Sequence, residues 1–299
     1  MAIATAIKPM DKLFTQQQSH LIAVAYRMLG SKVEAEDVVH DAYLRWCRHW
    51  RKYGEASIDN PPAFLTSMVA RLCIDQLRHR KMTEYKGPWL PEPIPSIAEG
   101  DPGDQIASLE SLNTGLLLVL EKLSPLERAV FMLHEAFDYS HGEIAQTLEI
   151  SLANSRQLLS RARRSIKSKP DSLGQPAGEK AESLASAFLQ ALQTEDLSGL
   201  KRVLCDDVVA YSDGGGKVSA ALIPLEGIER VATVFGHLVK KFGEDLTWEW
   251  AQINGQHGLL LYEYGQLGSV TTFDLLDGKI YRMYVMRNPD KLGGLDGYL

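Results

Sequence analysis

Two stretches of the chain carry cations at spacings suited to gripping nucleic acid. The first is Arg71-Leu-Cys-Ile-Asp75-Gln-Leu-Arg78-His79-Arg80-Lys81. The second is Glu143-Ile-Ala-Gln-Thr-Leu-Glu-Ile-Ser151, continuing through Leu152-Ala-Asn154-Ser155-Arg156-Gln157-Leu-Leu-Ser160-Arg161-Ala-Arg163-Arg164. Contacts to phosphate position a protein on a duplex, whereas Arg, Asn and Gln can also pair bidentately with base edges. The second stretch has the pattern of a helix-turn-helix. Ala145 is small enough to let two helices touch, Leu148 and Ile150 flank the turn, and a recognition helix is expected to start near Leu152. On that helix Asn154, Arg156 and Gln157 are the candidates for base edges, with Ser155 and Ser160 beside them. Arg161, Arg163 and Arg164 lie later and suit phosphate. Glu149 stands where a turn glycine is usual, and Ser155 where an apolar residue is usual. Two such grips can read two elements on one duplex.

Other constellations are weaker. Glu36, Asp37 and Asp41 form an acidic face beside Leu44 and Trp46, which reads as a protein dock or as favourable acid at a helix start over core aromatics. Asp75 is expected to cap its helix or to pair with Arg71 or Arg78. Asp213-Gly214-Gly215-Gly216-Lys217 allows positive φ and close backbone approach, but it lacks the spacing of a phosphate-binding loop. Asn288-Pro289-Asp290-Lys291 is a turn by its chemistry. In the C-terminal part Asp207, Glu249, Glu263, Asp274 and His257 are the candidates for a pocket acid or base, with no convincing His–Asp spacing among them.

Composition bounds the classes. With 299 residues, 45% of them hydrophobic and 23% charged, the chain reads as a globular protein of two or three domains. The formal net charge is −6. Residues 1–170 hold 21 Lys/Arg against 20 Asp/Glu, and residues 171–299 hold 11 against 18, so the basic character is local to the grips and the acidic excess lies in the tail. Cys47, Cys73 and Cys205 form neither a disulfide framework nor a metal motif. The N-terminal apolar run is too short for a signal peptide, and the stretch around Leu116–Leu120 is too short to span a membrane. The expectation is a cytoplasmic protein with no membrane association, no cofactor and no metal, a monomer when free.

The elements that must position these residues follow from periodicity. Residues 11–80 read as helices: Leu21, Ile22, Ala25, Met28 and Leu29 keep the helical period until Gly30, and Val38, Val39, Ala42, Tyr43 and Trp46 form the next stripe. A proline-rich linker follows, extended rather than floppy. Within it Trp89-Leu90-Pro91 is out of keeping with solvent, so Trp89 is expected to pack against a domain. Residues 108–168 read as four helices, with Ser124-Pro125-Leu126-Glu127 as a helix start. After a second linker come helices over about 180–193, 196–204 and 227–242. A strand-like Val208–Tyr211 leads into Asp213. Four strands then span Thr247–Ile253, Gly258–Gly265, Ser269–Leu276 and Lys279–Met286, with turns at Asn254-Gly255, Gln266-Leu-Gly268 and Asp277-Gly278. One face of this sheet is expected to be aromatic and apolar. The fold class is multidomain: all-α regions with a helix-turn-helix, then an α+β domain.

These motifs, in this order, resemble those of extracytoplasmic-function (ECF) sigma factors. Ala25-Tyr-Arg-Met-Leu-Gly-Ser31 with Ala35-Glu36-Asp37-Val-Val looks like region 2, Phe64-Leu65 through Arg78 like its promoter-melting segment, and Leu123-Ser-Pro-Leu-Glu-Arg128 through Arg163 like region 4. The tail is similar to the cone-shaped SnoaL-like, NTF2-type fold. Trp89-Leu-Pro-Glu-Pro93, Asp213-Gly-Gly-Gly-Lys217 and Asn288-Pro-Asp-Lys-Leu292 fit the SigJ-type subgroup that carries such an extension. The implied domains are region 2 over 1–81, a linker over 82–107, region 4 over 108–169, a linker over 170–178 and the extension over 179–299. The resemblance implies a factor that is not an enzyme. It would bind the RNA polymerase core enzyme through Glu36, Asp37, Asp41, Leu44 and Trp46. It would open a −10 element through Arg71, Arg78, His79, Arg80 and Lys81, with Tyr53 stacking and Asn60 bonding an edge in the preceding loop. It would read a −35 element through the recognition helix. Promoters of the subgroup resemble TGTCACA at −35 and CGTC at −10. The extension is implied to control activity within the chain, with Trp89, Leu90, Pro91, Asp213–Lys217 and Asn288–Lys291 as the interdomain contacts. The alternative is a fused SnoaL-like enzyme, or a protein binding an unknown small ligand, with a helix-turn-helix regulator half.

Overall fold

A computed structural model describes residues 9–54, 58–79, 85–95, 114–167, 175–176 and 180–295. They form two compact units. The first holds the described residues of 9–79 and 120–167. The second holds those of 85–95, 114–119, 175–176 and 180–295.

The first unit is helical. Helices α1 (Pro9–Leu29), α2 (Lys32–Tyr53) and α3 (Pro61–His79) are separated where the sequence breaks the period. Gly30 takes φ 69° and returns its N–H to Tyr26 O. Ser31 caps α2 and Asn60 Oδ1 caps α3 by accepting from Ala63 N–H at 3.2 Å. Leu21, Ala25, Met28, Leu29, Val38, Ala42, Leu65 and Val69 are buried in the core. Trp46 is also fully buried, and its indole N–H donates to Met10 O at 3.3 Å. This corrects Trp46 as a docking residue: it continues the inward stripe of Val38 and Ala42 at helical spacing, so the ring packs in the core.

In the same unit α5 (Pro125–Glu135), α6 (His141–Leu148) and α7 (Leu152–Lys167) follow the short α4 (Thr114–Leu120), whose last residue joins this unit. Capping boxes at Ser124/Glu127 and Ser140/Glu143 start α5 and α6.

The second unit combines α8 (Lys180–Gln193), α9 (Leu197–Val203), α10 (Ile228–Phe242) and α11 (Pro289–Leu292) with a seven-stranded sheet. Its strands are β1 (Gln175–Pro176), β2 (Leu204–Asp213), β3 (Leu225–Glu226), β4 (Leu246–Ile253), β5 (Gln256–Glu263), β6 (Gln266–Leu276) and β7 (Lys279–Met286). The order is β3-β2-β7-β6-β5-β4, with β1 on β6. Strands β4 to β7 form the expected antiparallel meander, and β2 returns to pair parallel with β7. The β5–β6 turn lies at Tyr264-Gly265, both at positive φ, rather than at Gln266–Gly268. A two-residue turn of this kind needs positive φ at both positions, which leaves Gly268 inside β6.

Both faces of the sheet are apolar, where one was expected. Helices α8, α9 and α10 cover one face with Phe188, Val231 and Phe235 over Phe273, Met283 and Val285. Linker residue Leu90, with Leu292 and Leu295, covers the other over Ile253, Leu260, Val270, Tyr284 and Met286. The linker is what makes the second face a core.

Truncating Trp46 to Ala is expected to cost about 3–5 kcal/mol of stability in chemical denaturation. A surface docking residue would shift it by about 0.5 kcal/mol or less.

Candidate nucleic-acid interface

The helix-turn-helix is built by α6, a tight turn and α7. Glu149 sits at φ 55°, ψ 45°, the left-handed conformation that a turn glycine takes without strain, and its N–H returns to Ala145 O. Ile150 N–H also donates to Ala145 O, at 3.0 Å. Ser151 Oγ accepts from Asn154 N–H at 3.1 Å and caps α7 at Leu152, where the sequence placed the start.

Along α7, Arg156, Gln157, Ser160, Arg161, Arg163 and Arg164 are exposed, and Asn154 is half-buried. Leu158, Leu159, Ala162 and Ile166 form the inner stripe. Ser155 is fully buried and bonds His141 Nδ1 at 2.9 Å. It is therefore corrected from a DNA contact to a packing residue, because its place one turn before Leu159 faces α6. His141 stacks on His134 at 4.9 Å, and burial, then the charges of His134, Arg156 and Arg163, hold its imidazole below the ordinary range. Arg163 pairs with Glu135.

In the other grip, Tyr53 is 56% exposed, beside His49 and under Lys52 Nζ at 4.9 Å. Asn60 spends its Oδ1 on the α3 cap. Arg78 pairs with Asp75, and His79 Nδ1 bonds Asp75 O. Arg80 and Lys81 lie outside the described residues. Arg71 is engaged within the unit: Nε and Nη2 donate to Thr147 O at 3.2 and 3.1 Å, and Nη1 pairs with Glu149 at 2.9 Å. Ser67 Oγ donates to the same carbonyl at 2.6 Å. Sequence reasoning missed Ser67, which has no charge to mark it. Glu36, Asp37, Asp41 and Leu44 are exposed on α2, and a groove of about 550 Å³ beside them is lined by Asp11, Phe14, Glu36, Asp37, His40 and Tyr43.

The second unit gathers the linker and two distant turns around one carboxylate. Asp213, fully buried at the end of β2, accepts from Tyr85 Oη at 2.5 Å, Leu90 N–H at 2.9 Å, Gly215 N–H at 3.0 Å and Lys291 Nζ at 2.8 Å. Lys291 Nζ also donates to Leu90 O at 2.5 Å and lies 4.2 Å from the Trp89 ring centre. Asn288 Nδ2 donates to Tyr85 Oη at 3.1 Å, and Lys217 pairs with Asp290. Gly215, at φ 61°, has Asn288 where a Cβ would stand, so no side chain fits. Gly214 is buried, Gly216 is exposed with its Cβ position 2.9 Å from Lys86 Cδ, Pro91 is buried and Pro289 is exposed. Farther along, Ile94 N–H donates to Asn254 Oδ1 at 3.0 Å and Asn254 N–H to Ile94 O at 2.8 Å. The roles of Tyr85 and Asn254 were missed; an aromatic residue in a linker was the available sign for Tyr85, as it was for Trp89.

The candidate acids of the tail are mostly occupied by structural partners. His257 bonds Glu182 at 2.8 Å, Glu263 pairs with Arg287 at 2.6 Å and Tyr262 donates to Glu249. Asp207 gives its carbonyl to Arg282. Asp274 is fully buried and accepts from Tyr284 Oη at 2.7 Å. Burial pushes its carboxyl up to about 7, against the Tyr284 hydrogen bond and the charge of Arg282. Gly115 of α4 lies over this pair; a Cβ there would meet Asp274 Oδ2 and Tyr284 Oη at 2.6 Å.

Comparison with known proteins matches the Sigma-70 region 2 family to residues 13–83 and the Sigma-70, region 4 family to residues 115–166. The ECF RNA polymerase sigma factor SigJ of Mycobacterium tuberculosis is 32% identical over 296 residues, covering 94% of this chain and 92% of its own. The probable ECF RNA polymerase sigma factor SigI of the same species is 29% identical over 293 residues, 96% of each chain. Among solved structures, the crystal structure of M. tuberculosis SigJ aligns with a TM-score of 0.74 at 29% identity, covering 94% of this chain and 97% of that one.

Two outcomes are expected from this geometry. Arg156→Ala should remove about 1–3 kcal/mol of discrimination at one base position, while Arg164→Ala should weaken all duplexes alike and lower the salt slope by about 1, both measured by binding titrations. Asp274 has a folded-state pKa above its unfolded value, so its contribution is present below the unfolded value of 3.8 and is lost as pH rises through about 7. Thermal melts of the full chain from pH 4 to 8 should therefore show Asp274→Asn gaining stability relative to the parent as pH rises to about 7, and a constant gain above it.

Proposed function

The chain belongs to the family of ECF RNA polymerase sigma factors, and from that membership we propose how its parts divide the work. It joins the RNA polymerase core enzyme and initiates transcription at promoters with −10 and −35 elements. Its part is promoter specificity rather than a reaction of its own. The exposed face of Glu36, Asp37, Asp41 and Leu44 docks on the core enzyme. The exposed cations and amides of α7 read and hold the −35 element. Tyr53, Arg78 and the basic end of α3 take the opened −10 strand, with the ring of Tyr53 as a stacking platform. The C-terminal extension regulates the factor in cis by holding the Trp89 linker, and so sets the slack between the two grips.

One observation carries the regulatory reading. Asp213 and Lys291 are both withdrawn from solvent, and both bond Leu90 of the linker. Removing one member of a buried pair leaves the other uncompensated and costs several kcal/mol, so the linker is held firmly rather than grazed.

Reconstituted transcription with core enzyme tests it, comparing the full chain with Asp213→Ala and with truncation after Arg287 or after Pro170. Core association is followed by co-purification. Asp213→Ala and the Arg287 truncation are expected to change promoter-dependent output in the same direction, by about fivefold or more, with core association intact. Unchanged output from both truncations would rule out the control role.

A further inference from the structure

Two stacked histidines stand behind the recognition helix. His134, near the end of α5, and His141, the first residue of α6, lie ring on ring, 4.9 Å apart and 15° from parallel. His134 Nδ1 bonds Tyr139 O at 2.8 Å. A carbonyl can only accept, so this nitrogen carries a hydrogen in either charge state of the ring. His141 Nδ1 bonds the buried hydroxyl of Ser155 on α7 at 2.9 Å. A hydroxyl can donate to a neutral imidazole or accept from a protonated one, so this bond survives a change of charge. Ser155 stands where an apolar residue is usual, and an apolar side chain there would serve neither state.

The charges that face His141 come from each element packed around it. On α7 they are Arg156 and Arg163. On α5 they are His134 and, through its pair with Arg163, Glu135. On α6 itself, Glu143 is turned to the Ser140 cap. Burial first, and then the cations, favour the neutral ring in the free protein. Arg156 and Arg163 are exposed on α7. A duplex that engages them brings phosphate to neutralise their charge. Arg163 given over to phosphate also leaves the Glu135 carboxylate unpaired, next to His134 in the chain. Both changes favour a proton on His141. Two charged rings in one stack repel each other, so the pair accommodates about one proton.

We propose that −35 binding takes up a proton at His141, which then donates its Nδ1–H to Ser155 in the docked form. This rests on the reading of α7 as the −35 reader. The proton comes from solvent, and no covalent bond of the chain breaks. His141 is a positioning residue, acting through Ser155 and the two arginines rather than on the bases. Binding raises the proton affinity of the ring. The gain in DNA affinity is therefore present at low pH and is lost as pH rises through the value His141 has in the complex.

The test uses the full chain and a short duplex carrying TGTCACA as its −35 element. Fluorescence anisotropy is read at constant salt from about pH 8 to about pH 5.5. The parent is expected to bind about three- to tenfold more tightly at the acid end, as linkage to a single group allows. His141→Asn keeps a partner for Ser155 and cannot take the proton, so most of that gain should vanish. A variant that keeps the parent's pH profile, or that loses affinity equally at every pH, would overturn the proposal. NMR titration of the His141 ring in the parent needs no variant. The titration should move to higher pH on the duplex, and an unmoved one would overturn the proposal as well. In free Arg156→Gln the ring should already titrate at higher pH than in the free parent; an unchanged midpoint there would remove the charge coupling on which the uptake depends. Failure of the parent to bind the duplex at any pH would sink the reading of α7 and the proposal with it, whereas binding with no pH dependence sinks the proposal alone.

Discussion

The second unit depends on one buried carboxylate. Asp213 has no exposure and sits at the end of β2, where a lone charge would be very costly. Its acceptors are filled by the linker at Tyr85 and Leu90, by its own turn at Gly215 and by Lys291 from the far end of the chain. Every donor is therefore tied to the others through one residue. Positive φ at Gly215 keeps Asn288 close, Asn288 donates to Tyr85, and Lys291 adds the charge that makes the burial tolerable. Three short strings, far apart in the chain, behave as one site because a single charge has to be satisfied.

That site also explains the second apolar face of the sheet. A sheet covered by helices on one side normally turns a polar face to water. Here Leu260, Val270, Tyr284 and Met286 fill the other side, and Leu90 lies on them. The linker is thus part of the extension's core as much as it is a tether between regions 2 and 4. Any event that strips it away exposes apolar area and unpairs Asp213 together, so partial release is unfavourable and the attachment tends to be all or none.

Much of this was legible in residues with strong local rules. Gly30, Ser124-Pro125 and the Asn254-Gly255 and Asp277-Gly278 turns set element ends correctly because caps and hairpin turns are local chemistry. Trp89 announced its packing against a domain because tryptophan gains nothing in water, and its half-buried ring lies against Lys291. The strings of the SigJ-type subgroup gave the family, which the comparisons uphold. What stayed hidden depended on distance in sequence. Ser155 looked like a polar contact until His141 came within hydrogen-bonding reach, and Trp46 could be a core stripe or a dock until Met10 O met its indole. The parallel return of β2 onto β7 leaves no local mark, and Tyr85 was marked only as an aromatic residue in a linker, with nothing to point to Asp213 as its partner. Arg71 was visible as a cation but not as a cation already engaged.

The engaged state of Arg71 is one case of a wider feature of the first unit. Regions 2 and 4 also meet through two further cations donated to helix-end carbonyls. Arg128 Nη1 reaches Met28 O at 2.8 Å while paired with Glu121, and Arg27 Nη1 reaches Ala136 O at 3.2 Å with its guanidinium over Phe137. Burial pulls Arg27 down to about 10, still well above physiological pH, so this charge persists in the closed form. Such bonds are directional and charge-assisted, which fixes one closed arrangement. Each is also a bond of modest net worth, because water takes the place of either partner when it breaks. Their fixed geometry, rather than their individual worth, is what makes the contact specific.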